Sequence, residues 1–263
     1  MAPQETSARR LEAAEAANAR GCMGSHPDAA VLEVAGGIAV FTSADSPLTH
    51  AVGIGLSGPV SPGELDRLEE FFRSRGARPS IDLCPFADAG LLPQLAERGY
   101  RLTEFNNVLV RRMAGVEMAL TPRVRRTCPN EVDLWSHTVG CGFFEIAELT
   151  TEEMDVGRAI CAMPGAQTYL AVGESGAPAG GAALAVHAGL ATLFADSTLR
   201  SFRRQGIHRE LIAARLNEAL VESCDLATAS TLPGSISQRN YERAGFQVVY
   251  TKVTLVASVT GSE

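Results

Sequence analysis

The sequence has no Cys-x-x-Cys pair: Cys22, Cys84, Cys128, Cys141, Cys161 and Cys224 are scattered along 263 residues. This spacing argues against a disulfide scaffold or a cysteine-rich zinc site, and fits reduced, mostly packing thiols in a cytosolic protein. No apolar run approaches the roughly 18 to 20 residues needed to span a bilayer. The start, Met1-Ala-Pro-Gln-Glu-Thr-Ser, is polar and acidic, unlike a secretory signal. A cytoplasmic location without a membrane partner is therefore expected. Positive charge is also short, with 23 Lys and Arg against 30 Asp and Glu and a net charge of −7, so a nucleic-acid-coating role is not expected. The chain lacks a GxxxxGK loop, a GxSxG elbow and an HExxH pair. No metal is expected.

What the chain does have is core material, 46% hydrophobic and 20% charged, over a length suited to one large domain or two ordinary ones. Residues 7–20 are strong helix formers, with Ser7 as N-cap. Two apolar stretches around Gly36-Gly37 predict a β-hairpin, and the run His50 to Ser57 a buried strand. Ser61, Pro62 and Glu64 form a capping box for a helix reaching Phe72. A strand near residue 81, a helix near 91–98 and a strand near 106–112 complete a first α/β or α+β unit.

The stretch Gly115 to Pro129 is expected to connect this unit to a second, giving domains 1–115 and 120–263. The second half predicts helices around Trp135 and after Thr150, then three strands, a long helix from Ile207, a strand, a helix and a closing strand. An internal echo supports duplication: Glu97-Arg98-Gly99-Tyr100 and Arg243-Ala244-Gly245-Phe246 each follow an expected helix and lead into a strand.

Gly53-Ile54-Gly55-Leu56-Ser57-Gly58 is a literal GxGxxG, and Asp82 mimics the acidic residue of a dinucleotide fold. Pro59 follows the third glycine and the helix starts only near Ser61, so the turn does not open the helix as an NAD(P) fingerprint requires. An NAD(P)-binding protein is the lesser alternative.

Residues 200–215 hold five arginines and one glutamate, a local +4 in an acidic chain. A strand ends there, and a loop with Arg200, Arg203, Arg204 and Gly206 opens directly into a helix. Backbone N–H groups at a helix start, with the helix dipole behind them, favour a phosphate-bearing ligand. A solvated basic helix start is the plainer reading.

Arg203-Arg204-Gln205-Gly206-Ile207-His208 resembles the pyrophosphate-binding signature of the GCN5-related N-acetyltransferases (GNAT), Arg/Gln-x-x-Gly-x-Gly/Ala. Downstream, Tyr241-Glu-Arg-Ala-Gly245-Phe246 resembles the family's Tyr-x-x-x-Gly-Phe segment. Together they cover residues ~120–256. The resemblance implies two GNAT-like domains, each a mixed, mostly antiparallel twisted sheet flanked by helices. The amino half lacks the loop and is read as degenerate.

It further implies acetyl or acyl transfer from acetyl-CoA, as co-substrate, to an amine of a small molecule or peptide, by a monomer or homodimer. Ser197 and Thr198 would pair with the pantetheine arm, and Arg203, Arg204, Gln205, Gly206, Ile207 and His208 would hold the pyrophosphate. Tyr241 stands at the family's general-acid position. Asp196 and Glu145 are candidates for the base, with His187 and His137 weaker ones; a structural cap or surface carboxylate is the alternative for each acid. His208 replaces the usual small residue, and Gly234 stands where the family often has Asn. A non-catalytic acyl-CoA-binding or regulatory protein is the alternative from another class.

Overall fold

In the computed structural model, which describes residues 3–25 and 28–258, the helix-forming amino end makes α1, Pro3–Gly21. Ser7 lies inside it and does not cap it. Strands β1 (Ala30–Val34) and β2 (Gly37–Phe41) form the expected antiparallel hairpin. Strand β3 is only His50–Val52. The rest of that apolar run turns, because Gly53 and Gly55 take φ of +73° and +76°, outside the extended region. Helix α2 (Pro62–Arg73) has the expected Ser61/Glu64 capping box. Strand β4 (Ser80–Leu83) runs parallel to β3; α3 (Leu91–Glu97) and the long β5 (Tyr100–Arg112) follow. Leu65, Leu68 and Phe72 on one stripe of α2 pack with Ile81, Leu91 and Leu95 in the core of this unit.

A short strand, β6 (Val124–Arg126), lies in the stretch expected to be a connection. Helices α4 (Val132–Phe144) and α5 (Thr151–Ala162) come next, the latter with a capping box on Thr150. Then follow β7 (Gln167–Val172), β8 (Pro178–His187), β9 (Leu190–Thr198), α6 (Ile207–Val221), β10 (Leu226–Thr231), α7 (Ile236–Arg243) and β11 (Gln247–Ala257).

The chain divides into a unit of residues up to Val108 with those from Val249 on, and a unit Leu109–Val248. The first has strand order β1-β2-β3-β4-β11-β5, and the second β5-β10-β9-β8-β7-β6. This differs from the expected division into 1–115 and 120–263, because β11 pairs with β4 of the first unit from Val253, opposite Leu83, to Val256, opposite Ser80. The supposed connection is also built into the second unit: Met113 N–H donates to Asp225 O at 3.0 Å, and Ala119 N–H to Asn217 Oδ1 at 2.9 Å.

Both echo glycines sit where the sequence comparison put them, just past α3 and α7, with φ of +77° at Gly99 and +85° at Gly245. None of the six cysteines is in a disulfide, and four of them are buried. Burial pushes the Cys22 thiol up to about 11 and Cys84 up to about 12, as packing thiols require. No helix among the described residues is long and apolar enough to cross a membrane.

Candidate active site

The site is built where two strands part. Strands β9 and β10 pair in parallel from Leu190↔Leu226 to Thr192↔Thr228, and the pairing goes no further. Beyond Thr192, β9 continues to Thr198 with β8 on its other side. Along this stretch the edge of β9 toward β10 carries no ladder to β10. The strand is also kinked there. Gly181 lies opposite Ser197 and Ala183 opposite Phe194, so Ala195 and Asp196 together face Ala182, and Ala195 takes φ of +53°. That is a β-bulge, which re-aims the side chain of Asp196.

Asp196 is the centre of a buried polar network. Tyr241 donates its hydroxyl to Asp196 Oδ2 at 2.5 Å, and His208 Nε2 lies 3.1 Å from Oδ1. Arg215, fully buried, is bonded to both carboxylate oxygens and to the Tyr241 hydroxyl, the last at 3.4 Å. Its Nε–H donates to Leu211 O at 3.0 Å, and Nη1, shared with Asp196 Oδ2, also reaches Ala183 O and Phe194 O at 3.1 and 3.3 Å. The guanidinium is thus satisfied on every side, as a buried charge must be. Asn240 fixes the imidazole. Its Oδ1 accepts from Arg243, which turns Nδ2 to His208 Nδ1 at 3.0 Å, so Nδ1 accepts and Nε2–H donates to Asp196.

Burial alone would raise the Asp196 carboxyl, but Arg215 and His208 outweigh it and hold the group well below the carboxylate range. Tyr241, 1% exposed, is pushed well above the ordinary phenol value by burial and by Asp196, against the pull of Arg215.

The loop before α6 has the form expected of an anion site. Gly206 is the N-cap of α6 with φ of +81° and offers no side chain to the helix start. The first backbone bond of the helix runs from Glu210 N–H to Gly206 O. Among the described residues, the N–H groups of Ile207, His208 and Arg209 therefore have no protein acceptor. Arg204 is also left-handed, at φ +65°, and its side chain is exposed. Glu210, acidic in the first turn, is neutralised by Arg123 at 2.5 Å. Beside this helix start runs a groove of about 590 Å³, lined by Gln205, Gly206, Arg209, Asn240 and Arg243 among others.

The start of α2 is the opposite case. Pro62 removes one N–H, Ser61 caps another, and the Glu64 carboxylate occupies the helix start, its acidity strengthened by the Ser61 N–H and hydroxyl. A phosphate would meet a negative charge there. The Gly53–Gly58 turn is followed by this self-capped helix, so the geometry departs from a dinucleotide loop.

Of the residues singled out in the sequence, the fold gathers Asp196, His208 and Tyr241 into one network, with Ser197 and Thr198 next along the parted strand. Ser197 Oγ is buried without a hydrogen-bond partner. Gln205 Nε2 bonds Ser201 O within the loop, and Ile207 is buried in the core. Glu145 stands apart: at the left-handed C-cap of α4 it pairs with Arg203 at 2.8 Å and is 55% exposed. Arg203 also reaches Thr198 O and Gly142 O, each at 3.3 Å, so it ties β9 to α4. Gly142 makes that approach possible, since a Cβ there would collide with Ser197 Oγ. His137 lies exposed on α4 against Cys141. His187 ends β8.

Arg215 was counted in the sequence among the phosphate-facing arginines, and the fold places it in the core instead. Its signal was there: Ile207, Leu211, Arg215 and Ala219, all buried, share one stripe of α6 at four-residue spacing. A charge on such a stripe demands a partner of opposite sign.

The sequence matches no protein-family model and none of the curated proteins compared with it. Solved structures do match. A GCN5-related N-acetyltransferase from Kribbella flavida is 19% identical, with a TM-score of 0.67 over 95% of each chain. One from Sphaerobacter thermophilus is 14% identical, with a TM-score of 0.57 over 87% of this chain and 75% of its own. A tandem GNAT protein from the clavulanic acid biosynthesis pathway is 15% identical, with a TM-score of 0.60 over 93% of this chain and 89% of its own. The fold of this chain is that of the GCN5-related N-acetyltransferases, a mixed α/β architecture of sheets flanked by helices.

Proposed function

We propose that this protein is an acyl-CoA-dependent N-acyltransferase whose second unit carries the reaction. The observation that carries this is a glycine-opened, uncapped helix start, with arginines at hand, standing at the end of the parted strand β9. The residues present suit coenzyme A. Free N–H groups at the start of α6, with Arg204 and the groove arginines Arg209 and Arg243, would hold its phosphates. The β9 edge near Ser197 and Thr198 would take its amide-bearing arm, and the unpartnered Ser197 hydroxyl has hydrogen bonds to give. Bound there, acyl-CoA supplies an activated thioester.

The transfer needs a neutral amine to attack the thioester carbonyl: a C–N bond forms, the C–S bond breaks, and the sulfur takes up a proton. Tyr241 is the proposed proton donor, with Arg215 as the positive charge nearest its oxygen. Asp196 and Glu145 were both candidates for the base. Asp196 already accepts from several donors and is held far below the usual range, which suits orienting Tyr241 better than accepting a proton. Glu145, paired with Arg203, fits holding the loop against α4. In this reading the amine proton leaves to water. The acceptor is a small-molecule or peptide amine.

A second reading is acyl-CoA binding without turnover. The full burial of Tyr241 favours it, because a phenol locked onto Asp196 has no face open to a sulfur atom. Thiol release from acetyl-CoA across a broad amine panel, measured beside direct titration with CoA, separates the two. Saturable turnover with any amine supports the transferase. Tight CoA binding with no thiol release supports the second reading, and no CoA binding at all overturns both.

A further inference from the structure

Among its described residues the first unit has no helix opened by a left-handed glycine like that of α6, yet it gathers a different set of chemical groups. Glu15 on α1, His50 on β3 and Asp82 on β4 each present one donor atom, and these atoms lie within 4.8 Å of one another. His50 Nε2 is 3.8 Å from Asp82 Oδ2. That is too long for a hydrogen bond but close to the separation of two donors bound to one ion at about 2.0 to 2.2 Å each.

The carboxylates are already oriented from behind. Thr254 Oγ1 donates to Asp82 Oδ1 at 2.7 Å, leaving Oδ2 toward His50. Lys252 Nζ holds Glu15 Oε2 at 2.7 Å. Such outer partners are what fix first-row metal ligands in place.

Charge points the same way. Lys252, buried at 3% exposure, is the ammonium that faces Glu12, Glu15 and Asp82. Glu12 Oε2 sits 3.2 Å from Nζ but receives no hydrogen bond. Burial raises the Glu12 carboxyl to about 7, so Glu15 and Asp82 are the carboxylates that set the charge, and with one ammonium beside them the half-buried cluster is left negative. A divalent cation would balance it. His50 and Asp82 also line a polar pocket of about 350 Å³, whose walls carry Asp45 and Glu104 against one arginine, Arg78, so an ion has an entry path.

From this arrangement we infer that the first unit binds a divalent first-row cation through Glu15, His50 and Asp82, with open coordination positions facing the pocket. One imidazole and two carboxylates suit Zn²⁺, Mn²⁺ or Co²⁺ better than Ca²⁺, which prefers oxygen alone. The site is separate from the acyl-transfer reading and stands or falls without it.

The test is titration of the chelator-treated full chain with Zn²⁺, and with Co²⁺ as a spectroscopic probe. One saturable equivalent is expected, with weak visible Co²⁺ bands and no near-ultraviolet thiolate band. His50→Ala and Asp82→Asn should each weaken binding by about tenfold or more. Asp45→Asn, on the same pocket wall but outside the set, should leave it unchanged. Glu15→Gln serves where a variant does not fold, as judged by circular dichroism. No stoichiometric binding to the unaltered chain overturns the inference. So does binding that survives the loss of His50, or a thiolate band that places the ion on cysteine.

Discussion

Tyr241 donates its hydroxyl to Asp196 Oδ2 across 2.5 Å, while Arg215 reaches both partners from the same stripe of α6. One carboxylate therefore orients the phenol, and one guanidinium balances the carboxylate. Burial keeps the phenol protonated at any ordinary pH. Raised that far, the phenol is a weaker acid than an ordinary thiol of about 8.5, so giving its proton to a new thiolate runs uphill, which favours binding without turnover.

For Tyr241→Phe, turnover should fall by about 10²-fold, in the usual range for loss of a positioned acid, while CoA affinity stays within about twofold. Steady-state kinetics beside calorimetric titration make the comparison. Unchanged turnover would remove Tyr241 from the chemistry.

Replacing Arg215 by Met strands the Asp196 charge in a buried place and should cost about 3–5 kcal/mol of stability. The double variant Arg215→Met/Asp196→Asn removes both charges and should recover much of that loss. Urea denaturation of the two variants is the measurement. A loss below about 1 kcal/mol for the single change would mean that solvent reaches the carboxylate.

Acid should act through Asp196 in a known direction. Its folded value lies below the unfolded carboxyl value of about 3.9. Its contribution to stability is therefore complete above that unfolded value and is lost as the pH falls through the folded one. Between pH 5 and pH 3 the urea midpoint of the unaltered protein should drop more steeply than that of Asp196→Asn. Parallel curves would contradict the depressed value.

Gly206→Ala puts a side chain at φ +81°, which should cost about 1–2 kcal/mol and shift the N–H groups at the start of α6. CoA affinity should fall by about tenfold or more. Gly76→Ala is the matched control, with φ of +74° and open space around its Cα. It should lose similar stability and keep CoA affinity. Equal CoA affinity in both variants would separate Gly206 from phosphate binding.

Glu145→Gln should weaken the tie from α4 to Arg203 with little effect on stability, since both groups are partly exposed. In the proposed function it raises the KM for acyl-CoA while kcat changes by less than about threefold. A large fall in kcat with unchanged KM would restore Glu145 as the base.

Much of this was legible in local sequence. The Ser61 capping box, the helix starting after Thr150, the hairpin at Gly36-Gly37 and the helix opened by Gly206 depend on neighbours a few residues apart, and all are present. The errors came from distance or competition. The His50–Ser57 run looked like one strand because its residues are apolar, yet two glycines with positive φ turned it. Arg215 looked like a phosphate ligand because charge was summed over a segment, regardless of helix face. The partner of Glu145, Arg203, lies 58 residues away, a pairing that no local pattern announces.

The sequence by itself determined most of the secondary elements and the glycine-opened start of α6, because caps, turns and periodicity are local properties. Only the tertiary structure decided which units the strands join, since β11 pairs with β4 from the far end of the chain. It alone set Asp196 on a bulge between Tyr241, His208 and Arg215, and brought Glu15, His50 and Asp82 within reach of one another. Such meetings depend on sheet register and helix packing, which no single segment encodes.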